Sequence, residues 1–168
     1  MNDDLHISDV GANLIQGFES LQLKAYIDTK DKHGDPIYAI GWGHAGSIDN
    51  VKITSDTTIT EDEAKKLFFE DAKIYEDKVK KYVTVPLNQN QFDALVCMAY
   101  NVSTAHFVEM LEISELNKGI YDKVPDAMLH YNISGGRILR GLTRRRKEEG
   151  VLFMTPAGQV ANTDNIVS

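Results

Sequence analysis

The 168-residue chain carries a net charge of −7, 42% apolar residues and one cysteine. That suits one well-cored domain, and no apolar run approaches the length of a membrane span. The acidic opening Met1-Asn2-Asp3-Asp4 lacks an apolar core and predicts no secretory leader, and Cys97, set in an apolar helical pattern, predicts a buried inert thiol.

In chain order, Ser8 followed by Val10, Leu14, Ile15 and Phe18 predicts a capped amphipathic helix of about three turns. Leu23 to Ile27 reads as a short strand, residues 29–37 as a polar loop, and Tyr38 to Trp42 as the returning strand. Gly46 to Thr58 is loop or short strand, with Val51 and Ile53 in alternation. Thr60-Glu61-Asp62-Glu63 is a capping box, opening a helix that runs to about Tyr82 along the stripe Ala64, Leu67, Phe68, Ala72, Tyr75 and Val79. Residues 83–87, with Pro86, break it, and Asn88 or Asn90 caps the next helix through Phe92, Leu95, Val96, Ala99 and Tyr100. Further helices are predicted at 103–117, 124–131 and 138–154, with Gly135-Gly136 between the last two, and 157–168 reads as a loosely held polar tail. The expected fold is α+β, mainly α. It is one domain over 1–168, with a lobe of one helix and a small antiparallel sheet (about 1–59) and a helical lobe (about 60–156).

Charge is uneven. All five arginines lie between Arg137 and Arg146, and Lys147 follows. Residues 134–147 hold no acid, so the −7 divides into +6 there and −13 elsewhere. A solvated helix face accounts for some of this run. Nucleic acid is a poor partner, because the acidic remainder repels phosphates. Neutralising acids in a cleft, or meeting an anionic wall polymer, fits the charge map better.

Glu19 ends the first predicted helix, and Asp28 ends the strand that follows. Two facing carboxyls are the usual apparatus for cleaving a glycosidic bond. Taken singly, each has a plainer reading, as a helix-end glutamate and an Asx-turn aspartate. In the run Tyr38-Ala39-Ile40-Gly41-Trp42-Gly43-His44, alternation places Ala39, Gly41 and Gly43 on one face, where small residues leave room for a bulky substrate. His44 reads as a structural hydrogen-bonding histidine. The five histidines (6, 33, 44, 106 and 130) show no metal-ligand spacing, and there is no phosphate-binding glycine loop or nucleophile elbow. No metal and no cofactor are expected.

Four segments together carry a resemblance: Gly17-Phe18-Glu19-Ser20 with Leu23-Lys24-Ala25-Tyr26, the strand Ile40 to His44, Pro86 to Val96, and Gly135-Gly136-Arg137 through Gly141 to Arg146. In this order they resemble the phage-type lysozymes, the endolysins of glycoside hydrolase family twenty-four, from about Ile7 to Phe153. The resemblance implies a two-lobed lysozyme fold with the cleft between lobes. It implies cleavage of the N-acetylmuramic acid to N-acetylglucosamine β-1,4 bond of peptidoglycan. Glu19 matches the general acid and Asp28 the water-orienting carboxylate. Tyr100 matches an aromatic position near the cleft and reads equally as a core residue, and either Arg144 or Arg145 is placed to pair with Glu19. The implied protein is monomeric, made in the host cytoplasm without a signal peptide, not inserted in the membrane, and released to the wall by a separate holin. The chain departs from the family at Ala39, where a threonine hydroxyl that holds the attacking water is usual, and its loop after Asp28 is longer than in the shortest members. Thr29, Asp31, His33 or Asp35 folding back is one substitute for that hydroxyl. The alternatives are a slow enzyme or an inactive wall-binding protein.

Overall fold

The computed structural model describes residues 1–163 and Ile166. Contacts divide the chain into two compact units, Met1–Ile15 with Ile74–Ser168, and Gln16–Lys73. Helices α1 (Asp9–Phe18) and α2 (Glu61–Tyr82) each belong partly to one unit and partly to the other.

The unit Gln16–Lys73 holds an antiparallel sheet of β1 (Gln22–Lys30), β2 (Pro36–Gly41) and β3 (His44–Ala45), in that order. A second ribbon pairs β4 (Ser47–Ile48) with β5 (Val51–Lys52). The sequence predicts a strand ending at Ile27 and a loop over 29–37. Instead β1 continues to Lys30, and the connection shrinks to residues 31–35. The cause is local. The Asp31 carboxylate accepts from the His33 and Asp35 N–H groups at 2.8 and 3.0 Å, and the Asp31 N–H donates to the Asp35 carbonyl at 2.9 Å. This Asx-type turn closes the hairpin, so Thr29 pairs with Ile37 and Lys30 with Pro36. On its other side β1 is bonded through Ile59 N–H to Leu23 O and Ala25 N–H to Thr57 O.

β2 also stops earlier than predicted. Gly41 and Gly43 take φ values of +66° and +95°, conformations that only glycine adopts without strain. The chain reverses there, and His44 pairs back to Ile40. Gly43 therefore lies outside β2, and the predicted alternation fails beyond Gly41. Trp42, at the reversal, is buried edge-on to Phe68 with ring centroids 5.8 Å apart. Ile40, Ile53 and Leu67 form this unit's core, with Ala25, Tyr38, Ile48 and Ile59 packed around them. The Thr60–Glu63 capping box is reciprocal, at 3.2 Å to the Glu63 N–H and 2.7 Å from the Thr60 N–H.

The helical unit contains α3 (Gln89–Asn101), α4 (Thr104–Ser114), a 3-10 turn at Leu116–Lys118, α5 (Val124–Leu129) and α6 (Arg140–Met154). Asn88 rather than Asn90 caps α3, in a second reciprocal box with Gln91. Asn90 has another role. Its amide donates to the carbonyls of Thr155, Pro156 and Gln159 at 3.0 to 3.2 Å, so the segment predicted as a loose tail is tied down as far as Gln159. Residues 164, 165, 167 and 168 of that predicted tail lie outside the described residues. Between α5 and α6 a small hairpin, β6 (Ile133–Ser134) with β7 (Arg137–Ile138), turns at Gly135-Gly136. The last helix thus starts at Arg140, not at 138. α6 packs on α3 and α5, and Phe92, Leu95, Met98, Phe107, Met110, Met128 and Phe153 are buried.

The N-terminal arm is fastened within the same unit. Glu76 accepts from the Ile7 N–H at 2.8 Å and contacts His6 Nδ1 at 3.0 Å. The buried Asp93 carboxylate accepts from the Ser8 N–H at 3.0 Å and from the Ser8 hydroxyl. Ser8 in turn caps α1 through the Val10 N–H.

Candidate active site

Glu19 and Asp28 both belong to the unit Gln16–Lys73. Glu19 directly follows α1 and is half-buried. Asp28 is exposed and is not the strand-end residue predicted. Ile27 faces Tyr38 and Thr29 faces Ile37, which leaves Asp28 as an extra residue with nothing opposite it. It is a β-bulge, a device that re-aims a side chain and bends the strand. Building the turn falls to Asp31.

The two carboxylates meet electrostatically at Tyr26. Burial pushes the Tyr26 hydroxyl pKa up, and the charges of Asp28 and then Glu19 push it further. Tyr26 closes the motif string Leu23-Lys24-Ala25-Tyr26, which by itself assigns it no role. Its place two residues before Asp28 in a strand was the available signal.

Ala39 stands directly opposite Tyr26 in the ladder and is fully buried. Gly41 is also buried, and a Cβ there would meet the Ala64 Cβ at 3.7 Å. Gly41 therefore packs inside its own unit, and Ala39 is sealed from solvent, so neither forms the open face that alternation predicts. Of the proposed substitutes for the missing hydroxyl, Asp31 is engaged in the turn, and His33 and Asp35 lie in that turn. Thr29 lies in β1 opposite Ile37, which shares a face with Ala39. An open pocket of about 490 Å³ beside the hairpin is lined by Asp31, Asp35, Tyr38, Lys52 and Thr54 among others.

His44 holds the unit together. Nδ1 lies 3.0 Å from each Asp71 carboxylate oxygen, and Nε2 lies 3.0 Å from the Ser47 carbonyl. A carbonyl only accepts, and so does an ionised carboxylate, so both ring nitrogens donate when His44 is an imidazolium. Burial lowers its pKa, but Ser47 and Asp71 outweigh burial and the net shift is upward. Asp71 also shifts upward, because burial outweighs the pull of His44. Asp71 lies 27 residues from His44, and nothing local in the sequence links them.

In the helical unit, Tyr100 is half-buried and packs on Tyr75 with centroids 4.6 Å apart. The arginine run is not one solvated face. Arg144 is exposed, with Nε donating to Glu148 at 2.7 Å. Arg145 is buried and donates to the Glu149 carboxylate and the Cys97 carbonyl, each at 3.2 Å. Arg146 is fully buried, with Nε 2.7 Å from Glu149 and a further nitrogen donating to Asn101 at 3.1 Å. Burial pushes the Glu149 carboxyl up against the pull of Arg146 and Arg145. Cys97 is buried and its thiol donates to Glu149 at 3.1 Å. Among the described residues, no group of three or more His, Cys, Asp or Glu side chains is arranged to hold a metal ion, and no helix is long and apolar enough to cross a membrane.

Residues 16–149 match the family model described as Phage lysozyme. The chain belongs to the phage lysozyme family. An endolysin of Bacillus phage B103 is 38% identical over 151 residues, which is 90% of this chain and 55% of that protein. The chain thus spans about half the length of the Bacillus phage endolysins it matches. A crystal structure of the phage P22 lysozyme superposes with a TM-score of 0.77 at 34% identity, covering 90% of this phage lysozyme family member and 99% of that chain. The muramidase domain of SpmX from Asticaccaulis excentricus gives a TM-score of 0.75 at 31% identity, again over 90% and 99% of the two chains.

Proposed function

We propose that the chain is a peptidoglycan hydrolase that cleaves the β-1,4 bond between N-acetylmuramic acid and N-acetylglucosamine. The observation that carries this reading is the placement of a half-buried Glu19 at the end of α1 and of Asp28 on a strand bulge in the same unit, in a chain of the phage lysozyme family. Likeness to a structure named a muramidase domain supports the choice of bond. Glu19, half-buried at the end of α1, protonates the leaving glycosidic oxygen, and Asp28 on its bulge orients the attacking water. A water acting between the carboxyls attacks the face opposite the leaving group and inverts the anomeric centre.

The test is the release of reducing ends from purified peptidoglycan. The native chain releases them, and Glu19→Gln and Asp28→Asn each lower the rate by about a hundredfold or more. Full activity in both variants would sink the assignment.

One observation favours a second reading. Ala39 offers no hydroxyl where the resemblance implies one, which points to a wall-binding protein with little turnover. That protein would sediment with insoluble peptidoglycan and release no reducing ends.

A further inference from the structure

The proposed site lacks the threonine hydroxyl that the resemblance implies for the attacking water. The residue directly across the ladder from Ala39 is Tyr26. Residues opposite one another in an antiparallel pair share a face and lie about 5 Å apart. A phenol extends well beyond a threonine hydroxyl, so a tyrosine can reach across that gap from the neighbouring strand. Tyr26 is 37% exposed, neither sealed in the core nor free of it. Among the described residues nothing hydrogen-bonds its hydroxyl, although Asp28 and Glu19 both act on it. An uncommitted hydroxyl in the field of both proposed catalytic carboxylates has its donor and its lone pairs available.

We infer that Tyr26 supplies the hydroxyl that Ala39 lacks, and that its oxygen atom holds the attacking water between Glu19 and Asp28. The inference rests on the muramidase reading above. In the reaction, the water oxygen bonds to the anomeric carbon as the glycosidic C–O bond breaks. Glu19 gives its proton to the leaving oxygen, and Asp28 receives one from the water. Tyr26 gains and loses nothing; it fixes the line of attack. Burial and the negative charge of Asp28 keep its hydroxyl protonated, so it donates to the water oxygen while Asp28 accepts from the water. Thr29 is the competitor, since it shares the face of Ala39 and carries a hydroxyl.

The experiment compares kcat and KM for reducing-end release by the native chain, Tyr26→Phe and Thr29→Ala, with urea midpoints measured alongside. Tyr26→Phe removes one oxygen. It is expected to lower kcat about tenfold to a hundredfold, leaving KM and the urea midpoint unchanged, while Thr29→Ala keeps the native kcat. Native kcat in Tyr26→Phe overturns the inference, as does a loss confined to KM. A displaced acid limb with an unchanged plateau would also overturn it, because the phenol would then be tuning a carboxylate. Transfer of the kcat loss to Thr29→Ala gives the role to Thr29. If the native chain releases no reducing ends, the muramidase reading itself falls. If the native chain is active and Tyr26→Phe matches it, only the Tyr26 assignment falls.

Discussion

His44 Nδ1 sits 3.0 Å from both carboxylate oxygens of Asp71. The side chains are 16% and 21% exposed, so solvent screens the pair only in part. Because the folded His44 pKa is raised, its contribution is complete below the ordinary histidine value of about 6.5. It is lost as pH rises through the folded value. Asp71 is raised as well, by burial, so its protonation on the acid side does not itself cost folding. His44→Asn is therefore expected to cost about 1.5–3 kcal/mol near pH 6 and clearly less near pH 9. Urea unfolding of both proteins at the two pH values checks this, and an equal cost at both would remove the imidazolium account.

Ala39 makes an unusual prediction. The residue is fully buried, so a threonine there must bury extra volume. Placing there, with Ala39→Thr, the threonine that the resemblance implies is expected to lower stability by about 1–3 kcal/mol. On the Tyr26 assignment, it should raise kcat by less than about twofold. A large gain in kcat would mean that the Tyr26 hydroxyl does not fill the role.

Gly11 lies against Asp93 without slack. A Cβ at Gly11 would fall 2.8 Å from the Asp93 Cβ and 2.9 Å from an Ile7 side-chain carbon. Asp93 cannot retreat, because it is buried and bonded to Ser8 and Gln89. Gly11→Ala is expected to cost about 1–3 kcal/mol in urea unfolding, with the reducing-end rate per folded molecule unchanged.

The arginine run divides by burial. Glu149→Gln leaves Arg145 and Arg146 buried without their shared anion, at an expected cost of about 3–5 kcal/mol. Arg144→Ala removes an exposed partner of Glu148 and is expected to cost at most about 1 kcal/mol. Thermal unfolding of the two variants should rank them clearly, and similar costs would contradict the burial pattern.

Cys97 is buried, and burial followed by the Glu149 charge pushes its thiol well above the ordinary value. A thiol reagent should leave it untouched in the native protein and titrate one thiol after denaturation. Rapid native labelling would show that the α3–α6 packing opens readily.

The sequence by itself determined the features that depend on neighbours a few residues apart. The Thr60–Glu63 box and the Asn88 cap are readable because cap and partner are three residues apart. The stripe of α2 is readable because one helix face repeats every three to four residues. The Glu19 and Asp28 motif and the family resemblance lie in linear strings for the same reason. Tertiary structure alone decided the rest. The bulge at Asp28 depends on how β2 registers against β1. The buried face of Ala39 and Gly41 depends on what packs above the sheet. The pairing of His44 with Asp71 joins residues that only folding brings together, and the division of Arg144 from Arg145 and Arg146 depends on which side of α6 meets α3 and α5. Local patterns record the bonds a segment makes with itself, whereas register, burial and ion-pair choice are properties of two segments at once, and a linear string holds only one of them at a time.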